Sequence, residues 1–197
     1  MLIAFSGIDG GGKTTQVEIL RQVLIDSGYE VVVTKAYNEE MKEKFKYYVE
    51  NWADEARMFL FQAFHARQFD ETCDALKKGA IVLADRWDES FIAYHSNFGP
   101  LADKSDFRLK LNTEAFHGLL PDVGFFFDVP VEIARQRRES RGKIEKIEDR
   151  PDYWYEIIQN GYRIVALNRA WHILDGTSDV HDLHNQILVK PLPPLNL

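Results

Sequence analysis

Short apolar runs alternate along the chain with longer stretches of helical periodicity, and glycine, proline or aspartate marks most changeovers. Residues 2–6 form an apolar run that stops at Gly7, too short to bury a helix and therefore read as a buried strand. Over residues 13–27 the apolar positions Val17, Ile19, Leu20, Val23 and Leu24 fall mostly at spacings of three and four, and Ser27-Gly28 closes the helix they predict. Residues 30–34 read as a second strand. Two helices are predicted next, a charged one over 38–50 and a strongly patterned one over 54–78 that carries Met58, Phe61, Phe69, Cys73 and Leu76 and ends at Gly79. A third strand over 80–84 is closed by Asp85-Arg86, and helices over 88–96 and 107–119 are separated by the breaker Gly99-Pro100. The apolar strand 123–129 ends at Pro130, which suits the first turn of a helix running towards Glu139. A helix over 152–168, a strand over 171–174 and a last helix from 179 to about 188 complete the pattern, before an extended, proline-rich tail. Between them, the charge density of residues 137–150 around Gly142 suggests a solvated segment or a lid. Strands alternating with helices mean a parallel sheet covered on both faces, an α/β fold in one domain over 1–197.

The first strand runs into Gly7-Ile8-Asp9-Gly10-Gly11-Gly12-Lys13-Thr14, which satisfies G-x-x-x-x-G-K-S/T in the strand-turn-helix context such a loop requires. Glycines let the backbone curl until several N–H groups face one phosphate chain, and the helix N-terminus adds partial positive charge there. Gly7, Gly10, Gly11, Gly12, Lys13, Thr14 and Thr15 are thus candidate ATP-binding residues, with Lys13 reaching the β- and γ-phosphates and Thr14 offering a hydroxyl to Mg²⁺. Asp85, at the end of a buried strand, is a second candidate for holding Mg²⁺, through water. Arg86 follows it at the mouth of the sheet, where ligands bind in open α/β folds, and suits a second phosphate group. The plainer readings of these two residues are a helix cap and a surface ion pair.

Composition narrows the class. A chain of 197 residues with 45% hydrophobic content is enough for one well-buried domain, and excludes disordered and low-complexity classes. The net charge of −7 disfavours a long nucleic-acid or anionic-membrane surface, while leaving room for local cationic pockets. Cys73 is the sole cysteine, so neither an intrachain disulfide nor a cysteine-rich zinc site can form. The start MLIAF lacks the basic region of a signal peptide, and no apolar run approaches the roughly 20 residues of a membrane helix; a cytoplasmic protein is expected. His181 and His184, one turn apart, read as surface rather than metal ligands, and Phe125-Phe126-Phe127 reads as a buried strand.

Several segments carry a resemblance. Phe5-Ser6-Gly7-Ile8-Asp9-Gly10, continued by Lys13-Thr14-Thr15-Gln16, is similar to the opening of thymidylate kinases. Asp85-Arg86-Trp87-Asp88-Glu89-Ser90-Phe91-Ile92-Ala93-Tyr94 resembles their D-R-Y/W-x-x-S-x-x-A-Y segment. Pro121-Asp122 with Asp128-Val129-Pro130 is similar to their P-D-x-x-x-x-L-D-V-P pattern, and Arg141-Gly142 with Lys146-Ile147-Glu148 to their lid. The ordered matches run from residue 2 to about 175. The resemblance implies a P-loop fold with strand order 2-3-1-4-5, transfer of the γ-phosphoryl of ATP to a deoxynucleoside 5′-monophosphate with dTMP the first expectation, Mg²⁺ as cofactor, and a homodimer to which helix 54–78 could lend its apolar face. Carried over by residue, it implies that Asp9 contacts the acceptor's 3′-hydroxyl, that Arg86 and Lys35 hold its phosphate, that Arg67 reads its base, and that Tyr94 crowds the 2′ position. It places Glu148 in acceptor binding too, and implies that Arg141 or Arg138 supplies a lid cation in the transition state.

The departures matter as much. Where the family carries R-E-P-G-G after the second strand, this chain has Lys35-Ala36-Tyr37-Asn38-Glu39, and Lys35 lacks the bidentate fork that suits phosphate. Gly10 stands where some members have an arginine, Lys146 replaces a lid arginine, and Ala63 replaces the phenylalanine that stacks on thymine. Phe91, at a position the family lines with small or polar groups, is expected to supply an aromatic wall to the base instead. Two other readings stay open on these residues: a deoxynucleoside kinase, which needs a carboxylate base near the first strand, and a nucleotide-binding regulatory module that has lost transfer.

Overall fold

The computed structural model describes residues 1–142 and 149–193. Among them run five strands and eight helices in the order β1 (Leu2–Ser6), α1 (Lys13–Asp26), β2 (Val31–Thr34), α2 (Glu39–Asn51), α3 (Asp54–Lys77), β3 (Ile81–Asp85), α4 (Asp88–His95), α5 (Ser105–Phe116), β4 (Val123–Asp128), α6 (Val131–Ser140), α7 (Asp152–Asn168), β5 (His172–Asp175) and α8 (Val180–Leu188). The sheet order is β2-β3-β1-β4-β5, as the resemblance implies, and every pair is parallel. Phe5 of β1 stands opposite Asp85 of β3, and Thr34 of β2 opposite Ala84. This register brings the chain just after β1, Lys35 and Asp85 to one end of the sheet.

Alternation along the strands sorts the core into layers. Ile3, Phe5, Leu83, Phe125 and Phe127 face α1 and α8, where Val17, Leu20, Leu24, Leu183 and Ile187 cover them. Leu2, Ala4, Val82 and Ala84 face the other way, beneath Ala75, Trp87 and Phe116. Phe126 of the aromatic run turns to that side too, against Ile158, Tyr162 and Ala166 of α7. The run is therefore split between two cores, which explains why no polar residue interrupts it. The fifth helix predicted over 107–119 ends earlier, because His117 adopts a left-handed φ of 46° and its amide turns back to Thr113. Leu119 follows that turn and lends its carbonyl to the Trp87 indole at 2.9 Å.

A histidine pair joins α3 and α4, His65 buried and His95 partly so. His65 of α3 bonds the Gln62 side chain through Nδ1 at 2.7 Å and packs against Phe116 and Phe91. Burial, reinforced by His95, pushes its pKa down to about 3, and burial with the Arg108 and Arg57 charges pushes His95 down to about 4. Unfolded histidine binds its proton near pH 6.5, so between that value and the folded pKa the unfolded chain takes up protons the fold refuses. Stability is therefore lost as pH falls from 6.5, at about 1.4 kcal/mol per pH unit for each such histidine. His65→Leu removes one of these groups. Its urea unfolding free energy should fall between pH 7 and 5 by about 2 kcal/mol less than that of the wild type. Parallel pH curves for the two proteins would show that His65 takes up a proton as readily in the fold as in the unfolded chain.

Candidate functional site

The loop between β1 and α1 is shaped for an anion. Gly7, Gly10 and Gly12 have φ of 137°, 90° and 94°. Gly12 caps α1 without a side-chain hydrogen bond, and no acidic residue stands in the first helical turn. The first amides of α1 therefore point into the loop without a side-chain acceptor, carrying the partial positive charge of the helix end. Lys13 folds back along the loop, its Nζ donating to the Ile8 carbonyl at 2.9 Å. Only 5% of the residue is exposed, and burial followed by repulsion from Arg86 pushes its pKa down to about 7. A phosphate chain at the loop favours the charged form again.

Asp85 meets this loop from β3. Its Oδ2 accepts the Thr14 hydroxyl at 2.9 Å and Lys35 Nζ at 2.8 Å. Its Oδ1 is buried with no hydrogen-bond partner among the described residues. Burial alone would raise this carboxyl, but Lys35 and then Lys13 outweigh it and hold the group below its usual range. An acceptor oxygen left open beside a threonine hydroxyl is a donor set suited to a hard, hydrated cation such as Mg²⁺.

Arg86 takes a left-handed φ of 73°, a conformation in which side chains other than glycine are uncommon. Its amide donates to the Phe5 carbonyl at 3.0 Å, and its own carbonyl accepts Gln68 Nε2 at 2.9 Å. The guanidinium donates through Nη2 to Asp9 Oδ1 at 2.6 Å and through Nη1 to the Tyr162 hydroxyl. It also lies 5.6 Å from the ring centres of Tyr94 and of Tyr162. Burial would raise the Asp9 carboxyl, yet Arg86 and Lys13 pull it far below the usual carboxylate range. The odd carboxylate of an anion-binding loop thus has an arginine for its partner, and Tyr94 donates to its other oxygen at 3.4 Å.

Helix α6 docks on the opposite side of the loop. Arg138 is 4% exposed, donates to the Asp9 carbonyl at 2.7 Å, and lies 3.9 Å from the Tyr155 ring centre. Arg137 donates to the carbonyls of Gly176 at 2.8 Å and Gly10 at 3.5 Å. The packing is tight at Gly10, where an added Cβ would sit 2.2 Å from the Ala134 carbonyl oxygen. An arginine at position 10 is therefore excluded by the seat of α6.

Other expected residues fall differently. Arg67 does not hang free: its Nη2 donates to the Lys35 and Ala36 carbonyls at 3.1 and 3.3 Å, and its Nη1 pairs with Glu71. It holds the loop after β2 through these bonds, and its buried Nε has no hydrogen-bond partner among the described residues. Phe91 corrects an expectation. It is 1% exposed and packed in the core with Met58 and Leu101, beside the His65 and His95 rings, so it forms no open wall of the site. The cause is helical phase: Ser90 and Tyr94, one turn apart on α4, face Arg86 and Asp9, whereas Phe91 is rotated by about 100° from Ser90. Ala63 is exposed, and Phe64 stacks on Tyr37 under the β2–α2 loop. Arg141 is exposed just beyond the end of α6, while Glu148, with Lys146, lies outside the described residues.

Sequence reasoning missed Arg137, Gln68, Glu89 and Tyr162. Tyr162 sits in the apolar stripe of α7 with Tyr155, Ile158 and Val165, and its hydroxyl is indistinguishable there from that of a core tyrosine. Gly161 beside it offered a signal, since a Cβ at that position would lie 3.0 Å from Ala93. The absence of a side chain lets α7 approach α4 closely enough for Tyr162 to reach Ser90.

A family description named thymidylate kinase matches residues 5–187 of this chain. The chain belongs to the thymidylate kinase family. It is 35% identical to a thymidylate kinase of Thermosipho melanesiensis over 192 residues, covering 95% of each chain. It is 32% identical to that of Fervidobacterium nodosum, covering 95% of this chain and 96% of the relative, and 32% identical to that of Kosmotoga olearia, covering 95% and 93%. The match therefore spans the P-loop, the Asp85-Arg86 segment and α6 within one alignment.

Because α6 rests on Gly10, Gly10→Ala should unseat it. The left-handed backbone and the overlap with Ala134 together should lower stability by about 2 kcal/mol or more and loosen the Arg138 bond to the loop. Denaturant unfolding of Gly10→Ala at wild-type stability would show that α6 does not pack there.

Proposed function

We propose that this chain is an ATP-dependent nucleoside-monophosphate kinase that moves the γ-phosphoryl group of ATP to the 5′-phosphate of dTMP, giving the diphosphate. The observation that carries this reading is a second cation, Arg86, fixed by the loop's own carboxylate, Asp9, at the same end of the sheet as the phosphate loop. A nucleotide-binding loop alone needs one anion site; this arrangement offers two, side by side.

The reaction forms a bond from an acceptor phosphate oxygen to the γ-phosphorus and breaks the bond from that phosphorus to ADP. An acceptor phosphate is largely dianionic at pH 7, so attack needs no general base. Positioning and charge neutralisation then carry the catalysis. Lys13 and the amides of α1 hold the β- and γ-phosphates. Mg²⁺, a cofactor for which Thr14 and Asp85 are suitable holders, supplies charge neutralisation on those oxygens when bound. Arg86 and Lys35 hold the acceptor phosphate, Lys35 being partly exposed on its bond to Asp85 and so able to turn towards an incoming anion. Asp9 accepts the hydrogen of the 3′-hydroxyl, and the Tyr94 ring limits room at the 2′ position. Arg141, exposed at the end of α6, is the cation that joins the transferred group, since Arg138 and Arg137 are committed to loop carbonyls.

The protein is proposed to act in the cytoplasm as a homodimer. No helix among the described residues is long and apolar enough to cross a membrane. The apolar face of α3 is largely spent on the chain's own core, so the exposed aromatics Tyr47, Tyr48 and Trp52 of α2 and its flank, with Phe59 of α3, are the surface offered for pairing.

The test is ADP release from Mg-ATP with a panel of monophosphates and nucleosides. Turnover of dTMP is expected, and Lys13→Ala should lower kcat by more than about 100-fold while the protein still unfolds cooperatively. Turnover of thymidine but not dTMP would assign a nucleoside kinase, and turnover of none a regulatory module.

Arg141→Ala separates binding from chemistry. An arginine supplied in the transition state contributes about 10³–10⁵ in rate in phosphoryl-transfer enzymes, so kcat should fall far more than KM rises. A rise in KM alone would move the role to another cation.

A further inference from the structure

Glu89 is a buried carboxylate that contacts neither anion site, yet hydrogen bonds from both converge on it. It is 1% exposed. Its Oε1 accepts the Ser6 hydroxyl, the Ser90 hydroxyl at 3.0 Å and the Trp87 amide at 3.0 Å, and that amide also lies 3.2 Å from Oε2. Each donor leads to a different part of the machinery. Ser6 is the last residue of β1 before the phosphate loop. The Trp87 amide belongs to the peptide that follows Arg86, so its bond fixes the left-handed turn on which that arginine stands. Ser90 accepts the Tyr162 hydroxyl at 3.0 Å, and Tyr162 accepts Arg86 Nη1.

The bonds from the guanidinium all run one way: Arg86 donates to Tyr162, Tyr162 to Ser90, and Ser90 to Glu89. A one-way chain from a cation to a carboxylate strengthens each of its members. Arg86 is thus gripped from two sides, directly by Asp9 and through two hydroxyls by Glu89. Burial and the charge of Asp88 push the Glu89 carboxyl up, while Ser6 and the Trp87 amide oppose them. Asp88 itself is committed elsewhere, to Arg169 at 2.6 and 2.7 Å.

We infer that Glu89 is the positioning residue of the acceptor site, aiming the Arg86 guanidinium through the Tyr162–Ser90 relay and through the backbone turn, so that its loss weakens the acceptor phosphate rather than ATP. The inference rests on the reading of Arg86 as the acceptor-phosphate cation.

Glu89→Gln keeps an acceptor oxygen and the size of the side chain but removes the charge, and Glu89→Leu removes the relay's end altogether. Glu89→Gln should raise KM and Kd for dTMP about tenfold, and Glu89→Leu about a hundredfold, with KM for ATP within about twofold of wild type in both. Tyr162→Phe cuts the same relay at another link. Its effect on kcat/KM for dTMP should combine with that of Glu89→Gln to much less than the product of the two. A purely structural carboxylate would lower Tm in all these variants without separating the two substrates and without that coupling. If Glu89→Leu does not fold, Ser90→Ala and Tyr162→Phe carry the comparison. An acceptor KM unchanged in Glu89→Gln and Tyr162→Phe, or effects that simply multiply, would overturn the role of Glu89. Wild-type protein that turns over no monophosphate refutes the kinase reading first, and the inference falls with it.

Discussion

The ion pair between Arg86 and Asp9 is the contact on which the site depends. Both side chains are partly buried, and each offsets the desolvation of the other's charge. Asp9 is placed by the curl of the glycine loop and Arg86 by a left-handed turn after β3, and the parallel β1–β3 pairing puts the two turns side by side. Once they meet, Asp9 is held ionised, and the Arg86 charge offsets the repulsion its carboxylate would exert on an anion at the neighbouring amides. Tyr94 and Tyr162 then close over the guanidinium, and Ser90 and Glu89 anchor Tyr162 from below. The glycine loop and the turn after β3 are thereby parts of one polar network.

That network also explains which family features this chain could discard. The loop after β2 has lost its arginine for Lys35, but Lys35 retains a partner in Asp85, and the loop itself is held by Arg67 through two carbonyls. A loop that relies on backbone carbonyls for its shape tolerates change in its own side chains. At Gly10 the logic is reversed. The close seat of α6 forbids a side chain there, and in return α6 brings Arg137 and Arg138 onto the loop's carbonyls. Position 10 and the helix after β4 are therefore fitted to each other.

Much of this was legible in the sequence, for identifiable reasons. The strands follow from apolar runs bounded by glycine, proline and aspartate, and those boundaries hold to within a residue or two, whereas their order in the sheet came from the family resemblance. The phosphate loop was legible because its geometry demands glycines that nothing else explains. Phe91 was misread because a match along the chain carries no phase around a helix: one step from Ser90 turns the ring from the site to the core. Glu89, Gln68 and Tyr162 were silent for a different reason. Their work is done by pairing across α3, α4 and α7, and no local pattern encodes a hydrogen bond between side chains 72 residues apart.

The charge distribution gives the last link between fold and activity. The chain carries a net charge of −7, and yet the two substrates proposed for it are polyanions. At the sheet end the balance is reversed, with Lys13, Lys35, Arg86, Arg137 and Arg138 set against Asp9 and Asp85. This excess is relieved internally in part. Lys13 leans on the Ile8 carbonyl with its pKa down to about 7, and Lys35 on Asp85. Each of these is a substitute partner, neutral or shared, that holds a cation ready while leaving part of its charge unanswered. Phosphate oxygens answer it better than a carbonyl does, because charge-assisted bonds are roughly twice as strong as neutral ones. The two lysines are therefore oriented but incompletely neutralised at the end of the sheet where the glycine loop lies.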